Sequence, residues 1–290
     1  MTFLEKPIRI RSILNFTRYK VSLAVTFSGF AASVAFLKGF AWSQILSISG
    51  ILLLASGASA FNQYQEKEYD AKMERTGNRP LPKGEFSNNF AFIVSGFLIF
   101  AGLLLLFTGS PLITVCLGAF NIVWYNGFYT WLKRKTAFAV VPGALTGVIP
   151  VFMGWTSAGG SISDPFPLVL GFFIFMWQVP HFWLLGMMYD KDYKNAGFPV
   201  ISNLFNQNQI KRIIFSWILA ASLSSLLIIR FEGLHFLFTV TLILLMNAII
   251  IFLSAFFLFF SKTIRYKLLF LIINFFMLLV FCIIIADKTL

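Results

Sequence analysis

The sequence predicts an all-α fold, a polytopic membrane bundle of about nine transmembrane helices that occupies residues 1–290 as a single domain. Hydrophobic residues make up 58% of the chain and charged residues only 12%, about half of the charged share that is usual in a soluble domain. The mean hydropathy is +0.82. Helices are expected rather than open sheets, because a sheet edge would leave unsatisfied backbone groups in hydrocarbon.

Apolar runs long enough to cross a bilayer recur along the whole chain. A helix needs about 20 apolar residues to span the hydrocarbon core. Nine such runs lie near residues 21–40, 43–64, 89–109, 111–131, 137–157, 166–189, 212–229, 235–259 and 266–286. None of them alternates between polar and apolar residues over its length, as a strand would.

The basic residues predict the orientation of these spans. The N-terminal tail and the loops after the second, fourth, sixth and eighth runs carry 20 of the 23 Lys and Arg residues. The other three are Lys38, Arg230 and Lys288. By the positive-inside rule, the tail and these four loops face the cytoplasm, and the C-terminus lies on the opposite face of the cell (inner) membrane.

The net charge of +12 suggests the lipid bilayer as a partner rather than nucleic acid, because basic residues of so apolar a chain lie at the membrane surface. Cys116 and Cys282 both lie inside apolar runs, so we expect reduced residues that fill the core, with no disulfide. His235 lies near the opposite face and is expected to be interfacial.

A first polar cluster follows the second apolar run. Asn62, Glu66 and Asp70 recur at i, i+4 and i+8, which places their side chains on one helical stripe about 12 Å long. Mg²⁺ takes such oxygen ligands and shares them with a substrate phosphate. Arg75 and Arg79 follow, and guanidinium groups suit phosphate oxygens. The alternative is a solvated helix end whose charges only mark the membrane interface.

A second cluster closes the sixth run, where Trp177 and His181 precede Asp190 and Asp192. His181 and Asp192 are eleven residues apart, so on one helix His181 would lie about 16 Å deeper in the membrane. We expect Asp192, like Asp70, at a wet membrane edge. An ionisable residue inside a span indicates function, although His181 could instead simply be satisfied by a neighbouring helix.

A third cluster, Lys133-Arg134-Lys135, closes the fourth run directly after Tyr129. Three consecutive basic residues commonly serve only as a topological anchor. Two acidic clusters could hold a metal ion, and this third cluster adds cations. Together the three clusters favour a diphosphate site more strongly than any one motif does alone.

These motifs resemble the signature of the UbiA superfamily of intramembrane prenyltransferases, and within it the branch that farnesylates heme b. The resemblance covers residues 62–199 and rests on four motifs in the family's order. They are Asp70-Ala71-Lys72-Met73-Glu74-Arg75-Thr76, Tyr129-Thr130-x-Leu132-Lys133-Arg134-x-Thr136, Trp177-Gln178-x-Pro180-His181 and Lys191-Asp192-Tyr193-x-x-Ala196-Gly197-x-Pro199.

The chain departs from the family pattern in three places, the last of which covers two adjacent residues. Glu66 stands where the family usually has Asp, and Ala139 stands where an Asn is common. Tyr189 replaces an expected Arg, and Asp190 has no firm counterpart. Asp192 is therefore favoured over Asp190 as a ligand.

The resemblance implies transfer of the farnesyl group from farnesyl diphosphate to a vinyl group of heme b, which gives heme O with Mg²⁺ as cofactor. The implied partners also include a downstream heme A synthase or terminal oxidase assembly. The implied metal ligands are Asn62, Glu66, Asp70 and Asp192. The implied catalytic residues are Glu66, Asp70, Lys133 and Asp192. The implied substrate-binding residues are Arg75, Arg79, Tyr129, Arg134, Trp177, Lys191 and His181, the last as iron ligand or propionate partner.

Two other functions stay open at this point. One is a prenyltransferase of the same fold that acts on an aromatic quinone precursor, against which the Trp177–His181 motif argues. The other is a heme-handling or transport protein without catalysis. Transporters tend to carry broken spans and polar groups near the midplane, whereas the acids here gather at one face.

Overall fold

The computed structural model describes residues 9–232, 234, 236–261 and 263–290. Three residues used in the sequence analysis lie outside these ranges. They are His235 and two of the 20 basic residues of the tail and loops, Lys6 and Lys262. The described part of the chain folds into helices and turns without a strand. The all-α prediction is confirmed, and the assignment of the whole chain to one domain stays a prediction.

Nine helical segments of the described chain are long and apolar enough to span a membrane, as the sequence predicts. In chain order they are Tyr19–Leu37, Trp42–Asp70, Asn88–Gly109, Leu112–Leu132, Ala137–Ser157, Pro165–Met188, Gln207–Phe231, Leu237–Phe260 and Tyr266–Thr289. Their large apolar side chains extend over much of the outer surface, and Phe97, Phe107 and Phe238 are about two-thirds exposed. Such a surface fits lipid, because soluble proteins rarely expose large contiguous apolar patches.

The regular helices are labelled in chain order. They are α1 (Ile10–Phe16), α2 (Tyr19–Leu37), α3 (Ile45–Asp70), α4 (Asn88–Gly109), α5 (Leu112–Ile122), α6 (Thr130–Leu132), α7 (Val140–Gly143), α8 (Leu145–Ser157), α9 (Pro165–Met188), α10 (Asp190–Asn195), α11 (Gln207–Glu232), α12 (Leu237–Ala255) and α13 (Tyr266–Thr289). A π-helical segment, Val123–Tyr129, joins α5 to α6, and a second one, Phe256–Phe260, extends α12.

Sequence features explain where several helices begin. The Ser87 side chain caps α4 by accepting a hydrogen bond from the Phe90 amide at 3.1 Å. Pro165 occupies the first turn of α9, where its missing N–H removes no helical hydrogen bond. Arg18 adopts a left-handed conformation (φ 47°) that separates the short α1 from the first span. This turn brings Arg18 to the same end of the bundle as the polar loops.

Small residues allow the membrane helices to pack closely. A Cβ at Gly154 of α8 would overlap the carbonyl oxygen of Gly29 on α2. Between α3 and α4, a Cβ at Gly102 would lie 2.8 Å from the Leu54 amide nitrogen, and one at Gly57 would lie 2.8 Å from the Ile99 nitrogen. Membrane helices associate through such close backbone approaches, because lipid provides no hydrophobic force between them.

The prediction that the two cysteines fill the core is wrong. Cys116 and Cys282 are free, but both are exposed on the outer surface instead of filling the core. An apolar run has a lipid-facing side as well as a buried one, and its sequence alone does not distinguish the two in so uniformly apolar a helix.

The Gly29–Gly154 approach leads to a stability prediction. Gly154→Ala should destabilise the protein by about 1–3 kcal/mol, because α2 and α8 must separate to admit the methyl group. Gly96→Ala on α4, where no atom lies within 4 Å of the added Cβ, should be neutral or slightly stabilising. Thermal unfolding in detergent, followed by size-exclusion chromatography, measures both. Equal melting temperatures for the two variants would contradict this packing.

Candidate active site

The three oxygen-bearing residues of the first cluster lie on one buried stripe of α3. Asn62 is 0% exposed, and Glu66 and Asp70 are each 4% exposed. The expectation of a wet edge is therefore wrong for Asp70, and the alternative of a solvated helix end is wrong for all three. Burial of two carboxylates is costly unless each has a partner, so the surrounding cations decide what this stripe does.

Glu66 is paired with the basic loop that follows α6. The Lys133 Nζ lies 2.6 Å from Glu66 Oε2, although the two residues are 67 positions apart. The Arg134 guanidinium donates to the Gln65 carbonyl at 2.9 Å and covers the Tyr69 ring at 4.8 Å. The basic run thus contacts the end of α3 directly, which goes beyond the role of a topological anchor.

Asp70 is paired within its own loop. The Arg79 Nη1 lies 2.5 Å from Asp70 Oδ2, and the Thr76 hydroxyl donates to the Asp70 carbonyl at 3.0 Å. Burial and repulsion from Arg18 together lower the pKa of Arg79 to about 10, although Asp70 opposes both effects. Arg79 therefore remains cationic at neutral pH, where it neutralises the Asp70 carboxylate.

The second acidic cluster is not on the helix of His181. Tyr189 (φ −121°, ψ 32°) ends α9, and Asp190 starts the separate helix α10. The assumption of one helix behind the 16 Å depth estimate is therefore wrong, and the depth itself stays a prediction. Asp192 Oδ2 accepts a hydrogen bond from the Arg75 amide at 3.1 Å, and this bond joins the two acidic clusters across 117 residues.

Asp190 is engaged elsewhere. Its carboxylate pairs with Lys194 Nζ at 2.7 Å and accepts a hydrogen bond from the Ser202 hydroxyl. Asp192, which is partly exposed, carries no ion pair among the described residues. The preference for Asp192 over Asp190 as a ligand stays a prediction.

An apolar cluster holds the two acidic loops together. Met73, Ala196 and Phe198 are buried against each other, with Tyr69 and Tyr193 packed around them. The Tyr69 and Phe198 rings lie 4.9 Å apart, and Lys133 Nζ lies 6.0 Å from the Phe198 ring centre. Three loops that are distant in the sequence, those after α3, α6 and α10, therefore form one end of the bundle.

The π-helical segment Val123–Tyr129 places aromatic rings beside the charged groups. Tyr129 stacks with Tyr125 at 5.9 Å and with Phe182 of α9 at 6.1 Å. Lys133 Nζ lies 5.4 Å from the Tyr129 ring centre. A Cβ at Gly143 would overlap the Tyr129 ring, so glycine is required there. Such π segments are frequent at functional sites.

His181 and Trp177 contact α13. His181 Nδ1 lies 3.0 Å from the Asn274 Oδ1, and its ring lies between Trp177 at 4.8 Å and Phe270 at 4.7 Å. The Trp177 indole donates to the Ile273 carbonyl at 2.8 Å. Because Asn274 Oδ1 accepts a hydrogen bond, Nδ1 carries the proton and Nε2 is left as the lone-pair nitrogen. A neighbouring helix therefore does satisfy His181, as the alternative expected, and a role of its Nε2 in binding heme stays a prediction.

The structure brings most of the sequence-predicted residues to one end of the bundle. Asn62, Glu66, Asp70 and their partners Lys133 and Arg79 lie together with Arg134. Arg75 connects to Asp192 and covers the Tyr189 ring at 4.8 Å. Lys191 is exposed and has no ion pair among the described residues. The roles of all these residues stay predictions.

Sequence reasoning missed Arg18 and Asn274. Burial would lower the pKa of Arg18, but its interactions with Tyr125, Asp70 and Glu66 raise it, so Arg18 belongs to the same charged centre. Its only sequence signal is its place directly before a span, which anchor residues share. Asn274 has a clearer signal, because a lone amide inside the apolar run 266–286 needs a polar partner.

The oxygen donors on α3 fit a metal ion that is shared with a ligand. Asn62 Oδ1 and Glu66 Oε1 are buried and accept no hydrogen bond, although buried oxygens rarely lack a partner. No three His, Cys, Asp or Glu side chains of the described residues cluster closely enough to hold an ion by themselves. This set suits Mg²⁺, which takes one or two carboxylates together with substrate phosphates.

Comparisons of sequence with known proteins agree on one family. The profile of the UbiA prenyltransferase family matches residues 22–280. A protoheme IX farnesyltransferase of Nitratidesulfovibrio vulgaris is 30% identical over 236 residues, 80% of this chain and 82% of the relative. The enzyme of the same name from Geobacter sulfurreducens is 42% identical over 157 residues, which span 54% of this chain and 58% of that relative.

Comparisons of structure agree on the fold. A UbiA homologue from Archaeoglobus fulgidus, solved with DMAPP and Mg²⁺, has a TM-score of 0.71 at 11% identity and covers 96% of this chain and 99% of its own. A UbiA homologue from Aeropyrum pernix has a TM-score of 0.72 at 19% identity, with 91% and 98% covered. The prediction of fold from the sequence motifs is confirmed.

The Asp70–Arg79 pair leads to a second stability prediction. Asp70→Asn should destabilise the protein by about 3 kcal/mol, because it leaves the Arg79 charge beside Arg18 without a counter-charge. The double variant Asp70→Asn/Arg79→Gln should recover part of this loss, and Asp192→Asn should change stability little. Thermal unfolding of the purified variants measures these differences. An unchanged melting temperature for Asp70→Asn would mean that the pair does not support the fold.

Proposed function

The chain belongs to the UbiA prenyltransferase family, and from this premise we propose that it transfers the farnesyl group of farnesyl diphosphate to a vinyl group of heme b, forming heme O and releasing diphosphate. The names of the similar bacterial proteins support this choice of substrates. The single observation that carries the proposal is the buried cluster of paired carboxylates and cations at the end of α3. Such a cluster suits a diphosphate leaving group.

The reaction balances with these substrates and water. The π electrons of the vinyl group form a bond to C1 of the farnesyl chain, while the C1–O bond breaks and its electron pair leaves with diphosphate. The cation that remains beside the porphyrin ring is stabilised by conjugation. A water molecule adds to it and releases one proton, which leaves a hydroxyl group on the product.

The cations of the site act on the leaving group. Lys133 and Arg79 lie at hydrogen-bond distance from Glu66 and Asp70, so they are already held where negative charge develops. Arg75, Arg134 and Lys191 add further positive charge around the same loops. Because the guanidinium and ammonium groups are fixed by protein partners, little reorganisation is needed when the diphosphate leaves.

Mg²⁺ completes the proposed donor site, with Asn62, Glu66, Asp70 and Asp192 as the residues that would hold it. When bound, it neutralises charge on the diphosphate oxygens and so assists their departure. The unpartnered Asn62 and Glu66 oxygens support this assignment. The DMAPP and Mg²⁺ named for the Archaeoglobus structure are consistent with it.

The acceptor side of the site involves His181 and the aromatic residues around it. Asn274 holds the imidazole with Nε2 as the free nitrogen, which is the form that ligates iron. Trp177 and Phe270 surround the imidazole and exclude water from it. Tyr129 and Phe182 offer aromatic faces that stabilise a nearby carbocation.

The proposed location is the cell (inner) membrane, with the acidic and basic loops in the cytoplasm. The 20 basic residues of those loops and the tail support this orientation. The diphosphate site would then open toward the compartment that contains soluble diphosphates. The product would pass to a heme A synthase or a terminal oxidase assembly.

The activity is tested with membranes that contain the protein, incubated with heme b, farnesyl diphosphate and Mg²⁺. Chromatography with mass detection should show a heme heavier by one farnesyl group and one hydroxyl group. Glu66→Gln and excess chelator should each abolish this product, whereas Glu66→Asp should retain activity because it keeps a carboxylate. Conversion of an aromatic quinone precursor instead of heme b would contradict the proposal.

Variants at and beside His181 test acceptor binding and donor binding separately. His181→Ala should lose the perturbation of the heme Soret band, yet still bind a non-hydrolysable farnesyl diphosphate analogue. Asn274→Leu should weaken heme binding to a lesser degree, because it keeps the imidazole but frees its orientation. A variant that loses both ligands would indicate a structural histidine, and normal heme affinity in His181→Ala would remove its proposed role.

A further inference from the structure

A groove of about 710 Å³ lies between the end of α9 and the start of α13. Its lining combines apolar side chains such as Met188 and Leu271 with two basic residues, Arg265 and Lys267, both of which are exposed. Its volume is that of a site for a sizeable organic ligand. Neither basic residue forms an ion pair with a described residue. An apolar groove with two free cations suits an amphipathic dianion.

From the groove, one face of α13 and one face of α9 lead toward His181. On α13, Lys267, Leu271 and Asn274 are spaced at i, i+4 and i+7, which places them on one helical face. On α9, His181 and Met188 are seven residues apart and also share a face. Since His181 and Asn274 are hydrogen-bonded, the two stripes converge there, about 10 Å along α13 from Lys267.

Tyr189 connects the groove with the diphosphate end of the site. It lines the groove, and its ring is covered by the Arg75 guanidinium at 4.8 Å. The Arg75 amide in turn donates to Asp192. The next acid, Asp190, is neutralised by Lys194, so the groove keeps its positive charge. A ligand that fills the groove and extends about 10 Å along α13 from Lys267 would reach His181, and Tyr189 with Arg75 would link it to the proposed donor site.

From this arrangement we propose that the groove binds the porphyrin acceptor, with Arg265 and Lys267 pairing with its two propionate carboxylates. The inference rests on the proposed function. A porphyrin has the required chemistry, because its macrocycle is flat and apolar while its two propionates project from one edge. The apolar walls receive the macrocycle, and the two cations set which edge faces the membrane surface. The opposite edge, which carries the vinyl groups, then points into the bundle.

The test compares two double variants of equal charge. Arg265→Gln/Lys267→Gln removes the groove cations, and Lys211→Gln/Arg212→Gln removes two basic residues at the start of α11 that do not line the groove. Heme b binding is titrated by the Soret band, and farnesyl diphosphate binding is measured separately. The groove variant should bind heme b at least about tenfold more weakly, with unchanged donor affinity, while the control variant should bind both normally.

Heme b dimethyl ester identifies the propionates as the groups that are recognised. The wild type should prefer heme b to the ester, and the groove variant should bind the two equally, since the ester lacks both charges. Wild-type affinity for heme b in the groove variant would overturn the proposal. It would also be overturned if the defect appeared only in anionic lipid nanodiscs and vanished in phosphatidylcholine, because the cations would then serve lipid headgroups.

These measurements are independent of the proposed reaction. If the wild type makes farnesylated heme but the groove variant keeps its heme affinity and turnover, the groove assignment fails and the function stands. If the wild type makes no such product, the proposed function fails. Heme titration with the two double variants would still decide whether the groove binds a porphyrin.

Discussion

Two carboxylates buried at the end of a membrane helix require positive partners, and the polar half of this protein is organised around that requirement. Glu66 obtains its partner from the loop after α6 and Asp70 obtains its own from the loop after α3. Neither Lys133 nor Arg79 could reach these carboxylates unless its loop folded back over the bundle. The cost of an unpaired charge in this environment makes the loop arrangement and the acidic stripe mutually dependent.

Three irregular parts of the backbone lie beside this charged centre. The π-helical segment Val123–Tyr129 and the break at Tyr189 both lie next to it, and the left-handed Arg18 turns toward it. Irregular backbone is tolerated at membrane depth only where it is covered by protein or lines a polar site.

Charge and aromatic surface divide the site into two regions, and the proposed function assigns them to different substrates. The α3 stripe with its cations is polar and suits diphosphate, whereas the surroundings of His181 are aromatic and almost free of charge. Tyr189 and Arg75 form the link between them. In the proposed reaction the donor loses an anion while a carbocation forms on the acceptor, and this separation would give each half of the reaction its own environment.

The sequence by itself determined the nine spans, because their apolar length is a local property, and it determined which residue types cluster beside them. The Asn62–Glu66–Asp70 stripe also followed from helical spacing alone. Only the tertiary structure decided that this stripe is buried, that Lys133 and Arg79 neutralise it, and that Asp192 meets Arg75 instead of continuing the helix of His181. It likewise decided that Asn274 orients His181 and that Cys116 and Cys282 face outward. Those outcomes depend on contacts between residues far apart in the chain, and a local pattern carries no information about which distant side chain will supply the missing charge or hydrogen bond.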